Sequence, residues 1–154
     1  MNYCVRISTA CVVILLLSLV VLQPAFAQTE VSADFGPPVE PNTWEKFTIP
    51  LTAEAFGLVD NPKAFQAILT NVTQFKIGTE MHDGSDAGSV DEVSVGSAYF
   101  SDFTAGSEAW SAMGDGTMEW IETGGFEGGH LQITDWTSGV LHYAVAPTTW
   151  SGNW

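Results

Sequence analysis

The sequence predicts an all-β fold, a β-sandwich or jelly roll with one short helix. The 15 glycines all follow residue 27 and separate short apolar stretches, which is the spacing of strands joined by turns. Most of these stretches alternate apolar and polar residues, the period of a strand with one buried face. One stretch after Asn61 instead has the period of a helix. It predicts a short helix that covers a sheet.

Residues 1–27 are predicted to be a cleavable secretory signal peptide. Arg6 supplies the positive charge before an apolar run of 12 residues at 11–22. Pro24 and the small-x-small sequence at 25–27 then predict cleavage, so that the mature chain starts at Gln28. We therefore expect a secreted, extracellular or cell-surface protein.

The apolar run is too short to act as a membrane anchor. Twelve helical residues rise only ~18 Å, whereas the hydrocarbon core is ~30 Å thick. No membrane insertion is therefore expected after the signal is cleaved. Cys4 and Cys11 leave with the signal, so the mature chain has neither a disulfide nor a thiol, and its core must hold the fold.

The individual elements follow from local patterns. Residues 43–51 alternate, and Pro50 predicts a position at a sheet edge because proline cannot donate a hydrogen bond to a neighbouring strand. Asn61 is a predicted N-cap and Pro62 the first helical residue. The helix should bury Phe65, Ile68, Leu69 and Val72. Further strands are predicted at 73–77, 91–95, 99–103, 109–113, 117–121, 130–135 and 140–145.

The strong negative charge bears on the partners. The chain has 18 acidic residues and a formal net charge of −14, and no Lys or Arg occurs from residue 77 to the end. Such a surface repels phosphate backbones and anionic lipid, so we expect no nucleic-acid partner. It suits neutral ligands, cations or simple solubility.

Several segments resemble the laminin IV type A (laminin B) domain, a galactose-binding-like β-sandwich. They are residues 124–135 (GGFEGGHLQITD), 143–147 (YAVAP) and 150–154 (WSGNW). The lead-in at 101–110 is similar to the opening strand of such a domain. Asn153 stands where the family often has Asp.

The matching segments stand in reversed order. Residues 28–96 look like the C-terminal half of the module, whereas residues 97–154 look like the N-terminal half. Central strands that would follow Trp154 have no counterpart. Three interpretations remain open: a permuted single domain, a fragment of two tandem modules, or a minimal two-part sandwich that is complete as it stands.

Calcium is the cofactor that the resemblance implies. Domains of this type often carry a structural calcium ion between their first and last strands, and the corresponding residues here are Asp91, Asp102 and Glu108. Asp83, Asp86 and Glu92 add oxygen ligands around a glycine-rich turn, although their spacing is not that of an EF-hand. The alternative is that these carboxylates are solvated turn residues.

Aromatic residues near the C-terminus are the candidate ligand contacts. Flat rings suit stacking on sugar faces, and Trp136 and Trp150 are predicted to lie in loops. With His130 and Tyr143 they form the predicted carbohydrate site. Trp110 and Trp120 lie within alternating strands and are predicted to be core residues.

These features predict a non-catalytic adhesion or recognition module that binds an extracellular glycan or a matrix or cell-surface component. The alternative is a structural spacer module of a larger cell-surface protein. A glycoside hydrolase-associated domain is a remote alternative, since Glu119, Glu122, Glu127 and Asp135 could supply a carboxylate pair. The sequence has no nucleophile or zinc-protease motif, so we expect no enzyme activity.

Overall fold

The described residues form two antiparallel sheets and one short helix. The computed structural model describes residues 2–8, 14–19, 29–34, 43–79, 87–136 and 142–154. Its elements are β1 (Asn2–Ser8), β2 (Ile14–Leu19), β3 (Thr29–Asp34), β4 (Trp44–Pro50), α1 (Pro62–Leu69), β5 (Gln74–Gly78), β6 (Ala87–Val95), β7 (Tyr99–Ser101), β8 (Ser111–Met113), β9 (Thr117–Ile121), β10 (His130–Thr134), β11 (Tyr143–Val145) and a 3-10 turn at Thr148–Trp150.

The strand order confirms the predicted all-β sandwich. One sheet has the order β4-β1-β6-β10-β9, with β7 also paired to β6, and the other has the order β3-β2-β5-β11-β8. The edge position predicted for the strand that contains Pro50 is confirmed, since β4 ends its sheet. Ile49 and Leu51 on this strand and just after it are buried, as the alternation predicts.

The helix begins at Pro62 as predicted and ends at Leu69, so Val72 is buried beyond the helix and not on it. The Asn61 side chain accepts a hydrogen bond from the Ala64 amide, and Pro62 is the first helical residue. Phe65 and Ile68 are buried on the face that the 3.6-residue period identifies. Among the described residues no helix is long and apolar enough to cross a membrane.

The two segments on either side of residue 96 share both sheets. In the first sheet β6 pairs with β7 and β10, and Val90 lies opposite Leu131. In the second sheet β5 pairs with β11, and Ile77 lies opposite Ala144. The described strands of residues 28–96 and 97–154 therefore pair with one another within both sheets.

The first two strands come from the predicted signal peptide. β1 lies between β4 and β6, and β2 lies between β3 and β5. The predicted cleavage site at 25–27 lies outside the described residues. Cleavage there would remove β1 and β2, so the structure describes the full-length chain and not the predicted mature chain.

An aromatic cluster fills the core near the C-terminus. The Phe75 ring stacks on Trp150 at 5.5 Å between ring centroids, and Tyr99 stacks on Trp150 at 5.4 Å. The edge of Trp110 contacts both Phe75 and Trp150. Trp154 packs against the same group. Trp110 is thus a core residue, as predicted.

Candidate functional site

The four residues of the predicted carbohydrate site do not share a surface. Trp136 is 59% exposed, as its predicted loop position requires. By contrast, Trp150, His130 and Tyr143 retain only 5%, 7% and 8% of their exposure. A ring must present a free face to stack on a sugar, and these three do not. All three side chains are buried instead.

Each buried residue has a structural partner. Tyr143 lies on β11 with the Lys76 ammonium 4.8 Å from its ring centroid, a cation–π contact. His130 meets the edge of Trp44 at 5.6 Å, and burial lowers the pKa of His130. His130 also begins β10, whereas Trp136 follows the other end of that strand.

The glycine-rich loop at 124–129 is anchored by a buried carboxylate. Asp91 on β6 accepts hydrogen bonds from the Phe126 amide at 2.7 Å and the Glu92 amide at 2.8 Å. Gly125 must lack a side chain because a Cβ atom there would lie 2.7 Å from the Asp91 Oδ2 atom and 2.3 Å from the Gly129 carbonyl oxygen. Glycine in this loop therefore allows the backbone to pack closely around the Asp91 carboxylate.

The other two predicted calcium ligands also bind backbone amides. Glu108 Oε1 accepts hydrogen bonds from the Phe103 and Asp102 amides at 2.7 and 3.2 Å. Asp102 Oδ1 accepts from the Thr104 amide and hydroxyl at 3.0 and 2.8 Å. Carboxylates that accept hydrogen bonds from backbone amides stabilise the turn. Calcium binding at this position stays a prediction. His82, Asp83 and Asp86 lie outside the described residues.

Asp91 should give the protein a distinctive pH dependence. Burial raises the pKa of Asp91 above its ordinary value of 3.8, despite the amide hydrogen bonds that oppose the shift. The contribution of Asp91 to the free energy of unfolding is therefore fully present below pH 3.8. It is lost as the pH rises through the folded-state pKa. We expect the stability of the wild type relative to Asp91→Asn to fall as the pH rises from acid to neutral, as measured by urea unfolding.

Asp102 provides a control of opposite sign. Hydrogen bonds from the Thr104 amide and hydroxyl lower the pKa of Asp102, so its contribution is present above pH 3.8 and is lost as the pH falls through the folded-state pKa. The stability of the wild type relative to Asp102→Asn should rise with pH. If the stability of the wild type relative to each variant changed with pH in the same direction, burial would not be what raises the pKa of Asp91.

A second cluster joins residues that the sequence does not bring together. His142 Nε2 lies 2.7 Å from Asp115 Oδ1 and 2.8 Å from Asp135 Oδ1. His142 and Asp135 are almost fully buried, whereas the Asp115 side chain is 45% exposed. Among the described residues this is the group whose potential metal-ligand atoms all lie within 4.8 Å of one another.

Three elements position this cluster. Asp115 precedes β9 and Asp135 follows β10, and the two strands pair with Thr117 opposite Thr134. The His142 carbonyl accepts a hydrogen bond from the Thr79 amide at 2.9 Å, just beyond β5. The Gly116 amide donates to His142 Nδ1 at 2.9 Å. A Cβ atom on residue 116 would lie 2.3 Å from the Thr134 carbonyl oxygen, so this close approach requires glycine.

Sequence reasoning missed this cluster because its members come from three chain segments. The spacing of 20 residues between Asp115 and Asp135 corresponds to no metal-binding motif. The one local signal was the glycine on either side of Asp115, which predicts a tight turn there but not its neighbours in the fold.

An open groove lies at the opposite end of the second sheet. It has a volume of about 350 Å³ and is lined by Thr73, Gln74, Ala109, Ser111, Val145, Ala146, Pro147 and Thr148. The lining combines hydroxyl and amide groups with small apolar side chains. No charged side chain occurs among these lining residues.

Comparison with protein-family models, with curated proteins and with solved structures gives no match for this chain. The resemblance to laminin IV type A domains therefore stays a prediction that rests on the motif residues.

Proposed function

We propose that the protein is a secreted, non-catalytic recognition module that binds a neutral carbohydrate in the groove between β5, β8 and β11. The uncharged lining of this groove carries the proposal. On a chain with 18 acidic residues, a groove lined without carboxylates or ammonium groups is a distinctive surface. Its volume falls in the range of small-ligand sites.

The lining chemistry suits sugar hydroxyls. Thr73, Ser111 and Thr148 carry hydroxyl groups that both donate and accept hydrogen bonds, and Gln74 offers an amide that does the same. Ala109, which is exposed, and Pro147, which is half-buried, supply apolar surface for the C–H faces of a ring. A neutral sugar also avoids repulsion from the acidic remainder of the surface.

Removal of two of the groove's polar groups should weaken glycan binding. We expect the double variant Gln74→Ala/Thr148→Ala to weaken binding roughly 10-fold or more, because each lost hydrogen bond is worth about 0.5–1.5 kcal/mol. A glycan array followed by titration calorimetry on the best sugar measures this effect.

The matched control is Trp136→Ala, which removes an exposed ring outside the groove. It should leave binding unchanged. Binding lost in Trp136→Ala but kept in the groove variant would move the site to Trp136. No binding of any neutral sugar at millimolar concentration would reject carbohydrate recognition.

A structural spacer module of a larger cell-surface protein is the second candidate. The burial of Trp150, His130 and Tyr143 favours it, since three of the four predicted contact residues serve the core. A chain that is exported and folded, yet binds no glycan, would be the outcome that supports this function.

A further inference from the structure

We propose that Asp115, Asp135 and His142 bind a divalent transition-metal ion through two carboxylates and one imidazole nitrogen. The observation that points to it is the convergence of both Oδ1 atoms on His142 Nε2, at 2.7 and 2.8 Å. This site is independent of the carbohydrate groove, which lies at the other end of β11.

A dipositive cation would suit the electrostatics of this cluster. Two carboxylates converge on one imidazole nitrogen, and the Asp135 side chain keeps only 2% of its exposure. Burial of a carboxylate is costly, because the group loses its hydration. A dipositive ion between the three donor atoms would neutralise both carboxylates.

The proton on the ring does not replace that ion. His142 Nδ1 accepts the Gly116 amide proton at 2.9 Å, so the neutral ring carries its own proton on Nε2. In the described part of the chain, Nε2 nevertheless makes no hydrogen bond of good geometry. One proton on Nε2 cannot be donated fully to two carboxylate oxygens that converge on it at 2.7 and 2.8 Å.

The donor set selects the class of metal. Imidazole nitrogen with carboxylate oxygen suits zinc and its first-row neighbours, whereas calcium takes six to eight oxygen ligands. Donor atoms at ~2.0–2.2 Å around tetrahedral zinc lie roughly 3.3 Å apart, so binding must open the cluster by about half an ångström. Asp115 is half-exposed between two glycines and can make that adjustment. The fourth position is left to water.

Metal binding should also move the ring proton. Nε2 must offer its lone pair to the ion, so the neutral ring then carries its proton on Nδ1. No proton is gained or lost overall. The Gly116 amide loses its acceptor and must turn away, which the glycine at residue 116 permits. This tautomer change is a signature that a surface ion would not produce.

Zinc titration of the full-length, chelator-treated protein tests the proposal. We expect one ion per chain by equilibrium dialysis, with a rise in melting temperature because the ion binds the folded state. His142→Ala and Asp115→Asn should each weaken binding at least ~10-fold. Asp115 is exposed enough that its variant should fold. Asp102→Asn, an acid outside the cluster, should bind zinc like the wild type.

Nitrogen-15 NMR of the imidazole distinguishes this site from adventitious binding. On saturation with zinc, the His142 signals should change from the Nε2–H to the Nδ1–H tautomer, and the Gly116 amide should shift. Unchanged His142 and Gly116 signals at saturating zinc would overturn the proposal. Substoichiometric binding, equal affinity in Asp115→Asn, or binding of calcium in preference to zinc would overturn it as well.

Discussion

Replacement of Trp150 by alanine should lower the free energy of unfolding by about 3–5 kcal/mol, the range for deleting a buried aromatic side chain. The Trp150 ring stacks on Phe75 and Tyr99 and meets the edge of Trp110. It retains 5% of its exposure. The deletion leaves a cavity bounded by three other rings, which can collapse only partly. Aromatic contacts beyond simple burial add to the loss.

The matched control is Trp136→Ala, the same substitution at a tryptophan that is 59% exposed. Its effect on unfolding should stay within about 0.5 kcal/mol, as for surface substitutions that disturb no specific contact. Urea denaturation of both variants beside the wild type makes the comparison. Equal small effects would mean that Trp150 lies outside the core, and would restore it as a candidate ligand contact.

The elements that local sequence determines were predicted well. The helix is specified within a few residues by Asn61 at its N-cap, by Pro62 and by the apolar period, and each acts as predicted. Strand β9 was predicted with the bounds that the structure gives it, and β10 ended one residue earlier than expected. Alternation and turn residues act over short distances, so no tertiary information was needed.

The placement of individual side chains depended on distant contacts. Trp150 follows a Pro-Thr-Thr sequence that indicates an exposed loop, yet the 3-10 turn brings its ring onto Phe75, a residue of β5. The sequence gives no sign of that contact, because 75 residues separate the two rings. The same limit applies to the proposed metal ligands Asp115, Asp135 and His142, which meet only after β9, β10 and the segment before β11 have assembled.

The acidic composition likewise did not predict that two of the carboxylates are buried. Eighteen carboxylates indicate a solvated surface, and most of the described acids agree with it. Asp91 and Asp135 are the exceptions, since both are nearly fully buried. Asp91 accepts hydrogen bonds from backbone amides, and Asp135 contacts an imidazole. A count of charges does not reveal these specific contacts.

Deletion of residues 1–27 should have the largest effect of any change considered. It removes β1 and β2, the strands that join β4 to β6 in one sheet and β3 to β5 in the other. Among the described strands, β4 pairs only with β1 and β3 pairs only with β2. The shortened chain would leave one side of β5 and of β6 without a partner along most of its length. Unpaired strand edges favour association with other chains.

We therefore expect the chain that starts at Gln28 to lose the cooperative unfolding transition of the full-length protein, or to form oligomers through β5 and β6. Light scattering and urea denaturation of both forms distinguish these results from a folded monomer. The intact mass of the exported protein then shows which form exists outside the cell. If the exported protein starts at Gln28 and is a stable monomer, the mature chain completes both sheets without residues 1–27. A retained Met1 would contradict signal cleavage. In that case β1 and β2 would remain part of the two sheets in the exported protein.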